Sequence, residues 1–270
     1  MALLTLNYES LYLQGSTEVT IILPDRPEQK DYAEFYRKEC KYKCLWLLHG
    51  TFGDNTDWVR KSMIEEYACE HDLVVVMPNS LNSEYMDWPG IMKGYEPQKF
   101  FFEELMPTVY GWLPVSDKKE DNFIAGLSMG GSGALKYALL HPELFAGVAS
   151  LSSSPVDLDT LLHDNMTSEE MRNVHMHANR LVFQTVEEIK DSPENLWRLL
   201  FGEGMQEAYP KMYFSCGTKD RGYTDFCKLR EKMQEIGYDA VFEEFEGYRH
   251  EWRVWDLAIQ SAFTFFGIGD

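Results

Sequence analysis

The segment Gly126-Leu127-Ser128-Met129-Gly130-Gly131 places a serine between two glycines in the pattern GxSxG. A short apolar run, Asn122 to Ala125, precedes it, and a stretch with helical character, Ser132 to Leu140, follows it. A strand, a sharp turn and a helix in this order predict a nucleophile elbow, where small neighbours permit strained backbone angles and the serine hydroxyl projects above a sheet. Ser128 is therefore the predicted nucleophile of an acyl-transfer reaction.

A serine hydroxyl is a poor nucleophile at neutral pH, so the chain must also supply a histidine that accepts its proton and a carboxylate that orients the histidine. Asp220 follows the apolar run Met212 to Cys216, and His250 lies just before the last helical segment. Ser128, Asp220 and His250 thus occur in the order typical of α/β-hydrolases. Two alternatives stay open, namely Asp220 as a turn or helix N-cap residue and His250 as a surface loop histidine.

Acyl transfer also needs backbone N–H donors for the negative charge that develops on the carbonyl oxygen. The amide of Met129, directly after the serine, is one predicted donor, and the loop after the strand that ends at Leu48 supplies the other. Within that loop we favour the amide of Thr51, with that of Phe52 as the second choice. The alternative is that this glycine-containing loop only turns the chain.

The elements that must position these residues alternate along the chain. Apolar runs predict strands at Val19–Leu23, Cys44–Leu48, Leu73–Pro78, Asn122–Ala125, Phe145–Leu151 and Met212–Cys216, with a late edge strand at Val241–Phe245. Helical spacing occurs over about Thr56 to His71, Phe100 to Trp112 and Ser132 to Leu140. This alternation predicts an α/β fold with a mostly parallel central sheet and helices on both faces.

The length of 270 residues suits one domain that spans residues 1–270. A polar, helix-prone insertion at about 154–208 predicts a small helical cap or lid over the carboxyl ends of the strands, where open α/β sheets bind ligands. Its residues His175, Met176 and His177 are either substrate contacts or part of a solvated helix face.

The formal net charge of −19 argues against nucleic acid and anionic membrane surfaces as partners, and it favours neutral esters unless a local Arg or Lys compensates. No run is long enough to span a bilayer and the first residues lack signal-peptide features, so we expect a cytoplasmic protein. The five cysteines form neither a disulfide framework nor a CxxC zinc site. The sequence leaves a homo-oligomer open.

Taken together, several segments resemble the esterase D-like family of α/β-hydrolases, most closely its tributyrin-esterase and feruloyl/acetylxylan-esterase branch. The resemblance covers nearly the whole chain, and the segments that carry it are Leu47–Gly50, Asp57-Trp58, Tyr85–Asp87, Glu103–Leu105, Gly126–Gly131, Phe145–Ser152, Gly217–Asp220, His250–Trp252 and Trp255-Asp256. One departure is Tyr248-Arg249 before the histidine, where relatives usually have a small residue. For Arg249 we favour the simpler interpretation, a salt-bridging surface residue.

The resemblance implies the α/β-hydrolase fold and no metal or organic cofactor. It assigns the triad to Ser128, Asp220 and His250, and the oxyanion hole to Thr51 and Met129. It further implies hydrolysis of short-chain acyl, acetyl or hydroxycinnamoyl esters through an acyl-enzyme. The predicted function is therefore a serine carboxylesterase that acts on a small-molecule ester.

Aromatic residues near these segments are candidate walls of the acyl or alcohol pocket, namely Phe52, Trp58, Tyr85, Trp88 and Trp252. Core packing explains an aromatic residue equally well, and we expect it for Trp255. Three alternative functions stay open: a thioesterase similar to S-formylglutathione hydrolase, an acyltransferase on the same scaffold, and a non-catalytic binding protein.

Overall fold

Eight strands form one sheet in the computed structural model, which describes residues 2–25, 31–35, 41–88, 90, 94–158, 186–202 and 209–268. The strands are β1 Ala2–Ser10, β2 Gly15–Leu23, β3 Cys44–Leu48, β4 Val74–Pro78, β5 Asn122–Leu127, β6 Gly147–Leu151, β7 Lys211–Gly217 and β8 Ala240–Phe245. Their order is β1-β2-β4-β3-β5-β6-β7-β8. Strand β2 pairs antiparallel with β1 and β4, whereas β4, β3, β5, β6, β7 and β8 are mutually parallel. The predicted mostly parallel α/β fold is confirmed.

Helices connect these strands. They are α1 Tyr32–Phe35, α2 Asp57–Lys61, α3 Ile64–Glu70, α4 Pro97–Lys99, α5 Met106–Trp112, α6 Met129–Leu140, α7 Val186–Lys190, α8 Leu196–Phe201, α9 Tyr223–Glu235 and α10 Trp252–Phe266. A π-helix, Phe100–Leu105, joins α4 to α5, and a short 3-10 turn, Lys119–Asp121, precedes β5. In the described part of the chain, none of the helices has both the length and the apolar character needed to cross a bilayer.

The single helix expected over Thr56 to His71 is divided into α2 and α3. Ser62, between them, is extended, with φ −140° and ψ 176°. Its hydroxyl donates to the carbonyl of Trp58 at 2.6 Å and accepts from the amide of Ile64 at 3.3 Å. A serine that bonds the backbone in this way offers it an alternative to helical pairing, which ends the first helix.

The insertion predicted at about 154–208 is described only in part. Helices α7 and α8 lie within it. Residues 159–185 and 203–208, which include the candidate contacts His175, Met176 and His177, lie outside the described residues.

The central strands are buried on both faces. Along β3, Leu45 and Leu47 pack in a cluster with Trp58 and the apolar side of α10. The alternate residues Trp46 and Leu48 pack in a second cluster with residues of α5, α6 and α9. A strand that is apolar throughout is typical of this arrangement, because each successive side chain enters a different core.

Helix α6 approaches β3 and β5 so closely that glycine is required at the contact. A Cβ atom on Gly126 would lie 2.2 Å from the carbonyl oxygen of Gly130. A Cβ atom on Gly130 would lie 2.5 Å from the carbonyl oxygen of His49 and 2.6 Å from that of Leu48. Because all of these neighbours are backbone atoms, no side-chain movement would relieve the clash. The two outer glycines of GxSxG are thus packing residues.

A buried ion pair joins α6 to two other parts of the molecule. The Lys136 ammonium, whose side chain is 2% exposed, donates to both carboxylate oxygens of Glu194 at 2.7 and 2.8 Å, just before α8. It also donates to the carbonyl of Glu84, in the loop after β4, at 3.2 Å. Burial raises the pKa of the Glu84 carboxyl to about 7, with the nearby Lys136 charge opposing the shift and the Glu194 charge adding to it. One cation therefore faces two carboxyl groups.

We expect Gly130→Ala to lower the free energy of unfolding by about 2 kcal/mol, because the added methyl group forces the backbones of α6 and β3 apart. Gly111→Ala in α5 is the control, since a Cβ atom there would meet nothing within 4 Å. That variant should be neutral or up to about 1 kcal/mol more stable. Urea denaturation of both variants measures the difference, and equal effects would contradict the packing argument.

We expect Glu84→Gln to stabilise the protein at pH 8 by about 2 kcal/mol, with the gain disappearing towards pH 4. The sign follows from the raised pKa of Glu84 in the folded state. Below the ordinary pKa of a glutamate the Glu84 carboxyl is protonated in both states and does not destabilise the fold. As the pH rises from there to about 7, the unfolded state loses this proton first, so the free energy of unfolding of the wild type falls. Urea midpoints from pH 4 to 8 test this. The exposed Glu66→Gln is the control, and a pH-independent gain for Glu84→Gln would refute the explanation.

Candidate active site

Ser128 lies between the last residue of β5 and the first residue of α6, at φ 52° and ψ −123°. A positive φ is unfavourable for a residue with a side chain, so neighbouring groups must hold it. The Ser128 amide donates to the carbonyl of Leu151 on β6 at 2.8 Å, and its carbonyl accepts from the amides of Gly131 and Ser132 at 2.8 and 3.2 Å. These bonds fix the backbone at the turn, and Ser128 is partly buried at the carboxyl edge of the sheet.

The structure brings together the three side chains that the sequence selects. His250 Nε2 lies 2.9 Å from Ser128 Oγ, and His250 Nδ1 lies 2.8 Å from Asp220 Oδ2. A carboxylate only accepts hydrogen bonds, so we assign the imidazole hydrogen to Nδ1 and leave Nε2 as the acceptor. In that tautomer, Nε2 is placed to receive a proton from the Ser128 hydroxyl.

Asp220 follows β7, and its side chain is 1% exposed. Its Oδ1 accepts from the amide of Gly222 at 2.9 Å, while Oδ2 faces His250. Burial favours a higher pKa for Asp220, but the hydrogen bonds from His250 and Gly222 outweigh it and lower the pKa below its usual value. The carboxylate is therefore ionised at neutral pH. Asp220 therefore fills both roles that the sequence leaves open, since it bonds the turn through Oδ1 and His250 through Oδ2.

The two loops that carry Asp220 and His250 are bonded to each other. The amide of Lys219 donates to the carbonyl of Tyr248 at 2.9 Å, and the amide of Gly247 donates to Thr218 Oγ1 at 2.9 Å. These two contacts, one between backbone groups and one to a side-chain hydroxyl, hold the loops that carry the carboxylate and the imidazole together. Arg249, whose role the sequence leaves open, is exposed on this loop.

The loop after β3 lies beside Ser128, because a Cβ atom on Gly50 would be 3.4 Å from Ser128 Cβ. The carbonyl of Gly50 accepts from His49 Nδ1 at 2.8 Å and from the amide of Gly53 at 3.0 Å. Both contacts fix the peptide group between Gly50 and Thr51. The Thr51 amide, on the opposite side of that peptide, donates to none of the described residues.

The other candidate in this loop is already bonded. The amide of Phe52 donates to Asn82 Oδ1 at 2.7 Å. Met129 is the first residue of α6, where an amide has no partner within its own helix and lies at the positive end of the helix dipole. The amides of Thr51 and Met129 are thus the better candidates for an oxyanion hole.

His49 supports the loop from below. Its Nε2 accepts from the amide of Ser80 at 3.0 Å, and its carbonyl accepts from the Tyr85 hydroxyl at 3.0 Å. Burial lowers the pKa of His49, which keeps the imidazole neutral. A neutral ring with its hydrogen on Nδ1 satisfies both the Ser80 amide and the Gly50 carbonyl.

The aromatic residues proposed from the sequence as pocket walls fall into two groups. Trp58, Tyr85 and Trp88 are buried, and their polar atoms bond backbone carbonyls, so they support loops and do not present a surface to a ligand. Phe52 is 90% exposed, and Trp252 is half-buried. Burial of the first group favours the core-packing alternative that the sequence leaves open, because one sequence does not reveal which aromatic residues tertiary packing covers.

Trp255 packs against the imidazole. Its ring centroid lies 5.1 Å from that of His250 at 84°, an edge-to-face contact that restrains the histidine. The residue is buried, as the sequence predicts.

Sequence reasoning missed Asn82 and Ser80, which bond the loop after β3. Both follow β4 in a stretch of small polar residues, where Asn and Ser ordinarily indicate a turn. The only available signal was their position after a buried strand, at the edge of the sheet where Ser128 was expected.

Within the described ranges, no three His, Cys, Asp or Glu side chains are grouped as metal ligands. The described cysteines Cys44, Cys69, Cys216 and Cys227 are free thiols, and Cys40 lies outside the described residues.

Comparisons with known proteins agree with the fold. The chain matches the family model "Putative esterase" over residues 10–266. An acetyl esterase from Caldicellulosiruptor saccharolyticus is 30% identical over 272 residues, which cover 97% of each chain. FphF, a fluorophosphonate-binding serine hydrolase of Staphylococcus aureus, has a TM-score of 0.81 and 28% identity, covering 100% of this chain and 99% of its own.

An S-formylglutathione hydrolase of Staphylococcus aureus, FrmB, has a TM-score of 0.77 and 29% identity over 98% of both chains. These structures share the α/β-hydrolase fold that the sequence predicts. By its family model and its acetyl esterase relative, this chain belongs to the Esterase family and is a carboxylic ester hydrolase.

Proposed function

We propose that this protein is a serine carboxylesterase that hydrolyses short-chain acyl, acetyl or hydroxycinnamoyl esters through Ser128, His250 and Asp220. The observation that carries the proposal is the pair of contacts at His250, 2.9 Å to Ser128 Oγ and 2.8 Å to Asp220 Oδ2. The acetyl esterase relative supports a small acyl group. The serine hydrolase neighbour supports the nucleophile.

In the first half of the reaction, His250 Nε2 takes the proton of Ser128 Oγ as this oxygen attacks the ester carbonyl carbon. The carbonyl oxygen becomes negative and accepts from the amides of Thr51 and Met129. Asp220 stabilises the imidazolium through Nδ1–H. The tetrahedral intermediate then expels the alcohol, which takes the proton from His250 and leaves an acyl-enzyme.

In the second half, His250 takes a proton from a water molecule that attacks the acyl-enzyme carbonyl. The second tetrahedral intermediate releases the carboxylic acid and returns the proton to Ser128. Only side chains, backbone amides and water take part, so we propose no cofactor. Phe52 and Trp252 are the aromatic residues that we retain as substrate contacts, and a cytoplasmic location also remains a proposal.

A thioesterase resembling S-formylglutathione hydrolase is the second candidate, supported by 29% identity to FrmB. The same three side chains would cleave a thioester, because the attacked atom is again a carbonyl carbon and a thiolate is a better leaving group than an alkoxide. The two candidates therefore differ in the recognition of the leaving group.

We expect Ser128→Ala to lower kcat/KM for p-nitrophenyl acetate and butyrate by at least about a thousandfold, because the acyl-enzyme cannot form. A fluorophosphonate probe should label the wild type and not this variant. Ser132→Ala is the control, because Ser132 lies four residues after Ser128, within α6, and this variant should keep the wild-type rate. Wild-type turnover by Ser128→Ala would end the proposal, and an unlabelled wild type would favour a non-catalytic protein.

We expect kcat/KM to be highest for acetyl, butyryl or feruloyl oxygen esters and at least about tenfold lower for the octanoyl ester, since the proposed pocket accepts short or flat acyl groups. Initial rates on these four esters and on S-formylglutathione measure the order. Preference for S-formylglutathione would select the thioesterase, and a maximum on the octanoyl ester would contradict the short-chain assignment.

A further inference from the structure

Two loops at the carboxyl edge of the sheet are joined by three hydrogen bonds. The donor loop is residues 49–53, which carries Thr51, and the support loop is residues 79–85, which follows β4. Two of the bonds are buried at the start of the donor loop, where Ser80 and Tyr85 hold His49. The third is at the tip, where Asn82 Oδ1 accepts from the amide of Phe52 at 2.7 Å.

These bonds fall on both sides of the proposed oxyanion donor. The His49 carbonyl, which Tyr85 holds, belongs to the peptide group before Gly50. The Phe52 amide, which Asn82 holds, belongs to the peptide group after Thr51. The peptide group between them carries the Thr51 N–H. The carbonyl of this same peptide group accepts from His49 Nδ1 and from the Gly53 amide, so the group cannot rotate without breaking these bonds.

Phe52 needs such a contact. Its φ is 63°, a left-handed conformation that is unfavourable for an aromatic residue. Its side chain is 90% exposed, so packing does little to hold it in place. Two described hydrogen bonds therefore retain this conformation: the Phe52 amide donates to Asn82, and the Gly53 amide donates to the Gly50 carbonyl across the turn.

We propose that Asn82 is a positioning residue, which acts through the Phe52 amide to aim the Thr51 N–H at the substrate oxyanion. This inference rests on the proposed function of Ser128. Asn82 touches no reacting atom. Without its side chain, Phe52 relaxes towards an ordinary φ and carries the Gly53 amide away from the Gly50 carbonyl. The Gly50–Thr51 peptide then turns, so a donor is lost in the transition state while ground-state binding is kept.

The test is Asn82→Ala, assayed with p-nitrophenyl butyrate. We expect kcat to fall about tenfold and KM to stay within about twofold of wild type. This loss of kcat is smaller than the roughly hundredfold or larger loss that follows removal of an oxyanion donor itself. The affinity for butylboronic acid, which forms a tetrahedral adduct with a nucleophilic serine, should fall by a similar factor. Asn82→Asp keeps an acceptor oxygen and should recover kcat to within about threefold of wild type.

The Phe52→Gly variant tests whether Asn82 acts by holding the left-handed conformation of residue 52. Glycine adopts a left-handed φ without penalty, so in Phe52→Gly the further change Asn82→Ala should lower kcat by less than about threefold. Asn7→Ala is the matched control, because Asn7 is also an exposed asparagine with a side-chain bond, to Glu18 on the β1-β2 hairpin at 3.2 Å. That variant should keep the wild-type kcat and boronate affinity.

The outcomes separate this inference from the proposed function. If Ser128→Ala is inactive but Asn82→Ala keeps the wild-type kcat and boronate affinity, the positioning role is wrong and the esterase proposal stands. If Asn82→Ala only lowers the urea midpoint, with kcat per folded molecule unchanged, Asn82 is structural and the inference is likewise overturned. Activity in Ser128→Ala would instead defeat the proposed function before Asn82 is considered.

Discussion

The close contact of α6 with β3 and β5 is the constraint on which the rest of the site depends. Gly126 and Gly130 bring backbone against backbone, so the chain must leave β5 and enter α6 with no room for a gradual turn. Ser128 takes up the sharp change of direction with φ 52°. The same contact sets the first amide of α6 beside the serine and places Gly50 of the neighbouring loop next to Ser128 Cβ. One steric condition thus determines where the nucleophile and its proposed donors lie.

Asp220 and Glu84 show how the local surroundings set the pKa of a carboxyl group. Asp220 receives hydrogen bonds from His250 and Gly222, and its pKa is lowered despite burial. Glu84 shares one cation with Glu194, and burial raises its pKa to about 7. The first group stays ionised and suits a residue that orients an imidazole. The second holds a proton near neutral pH and suits a structural position. Burial thus dominates the pKa of Glu84, whereas hydrogen bonds to the carboxylate dominate that of Asp220.

The sequence predicts those features that local pattern encodes. Strands β3 to β7 are apolar runs because both faces of the sheet are covered, and the triad residues stand out because they follow predicted strands in a known order. Strand β1 has no such signal, since most of its side chains are exposed and its only strand partner among the described residues is β2. The sequence favours Thr51 over Phe52 as a donor, but it does not show that the Phe52 amide is already bonded to Asn82, 30 residues away. The burial of Trp58 and Tyr85 is likewise a tertiary property that a single sequence does not contain.

Helix α6 also contacts the support loop, residues 79–85. Its Lys136 donates to the carbonyl of Glu84, and its Gly133 leaves space for the ring of Tyr85, which a Cβ atom would approach to 2.5 Å. Glu84 and Tyr85 both have positive φ, and these contacts with α6 offset that unfavourable backbone. Tyr85 in turn holds the carbonyl of His49 at the start of the loop that carries Thr51. The nucleophile at the start of α6 and the proposed donor in the loop after β3 are therefore positioned from the same helix. If α6 shifted, we expect Ser128 and the Thr51 amide to move together, so that their relative geometry would be preserved.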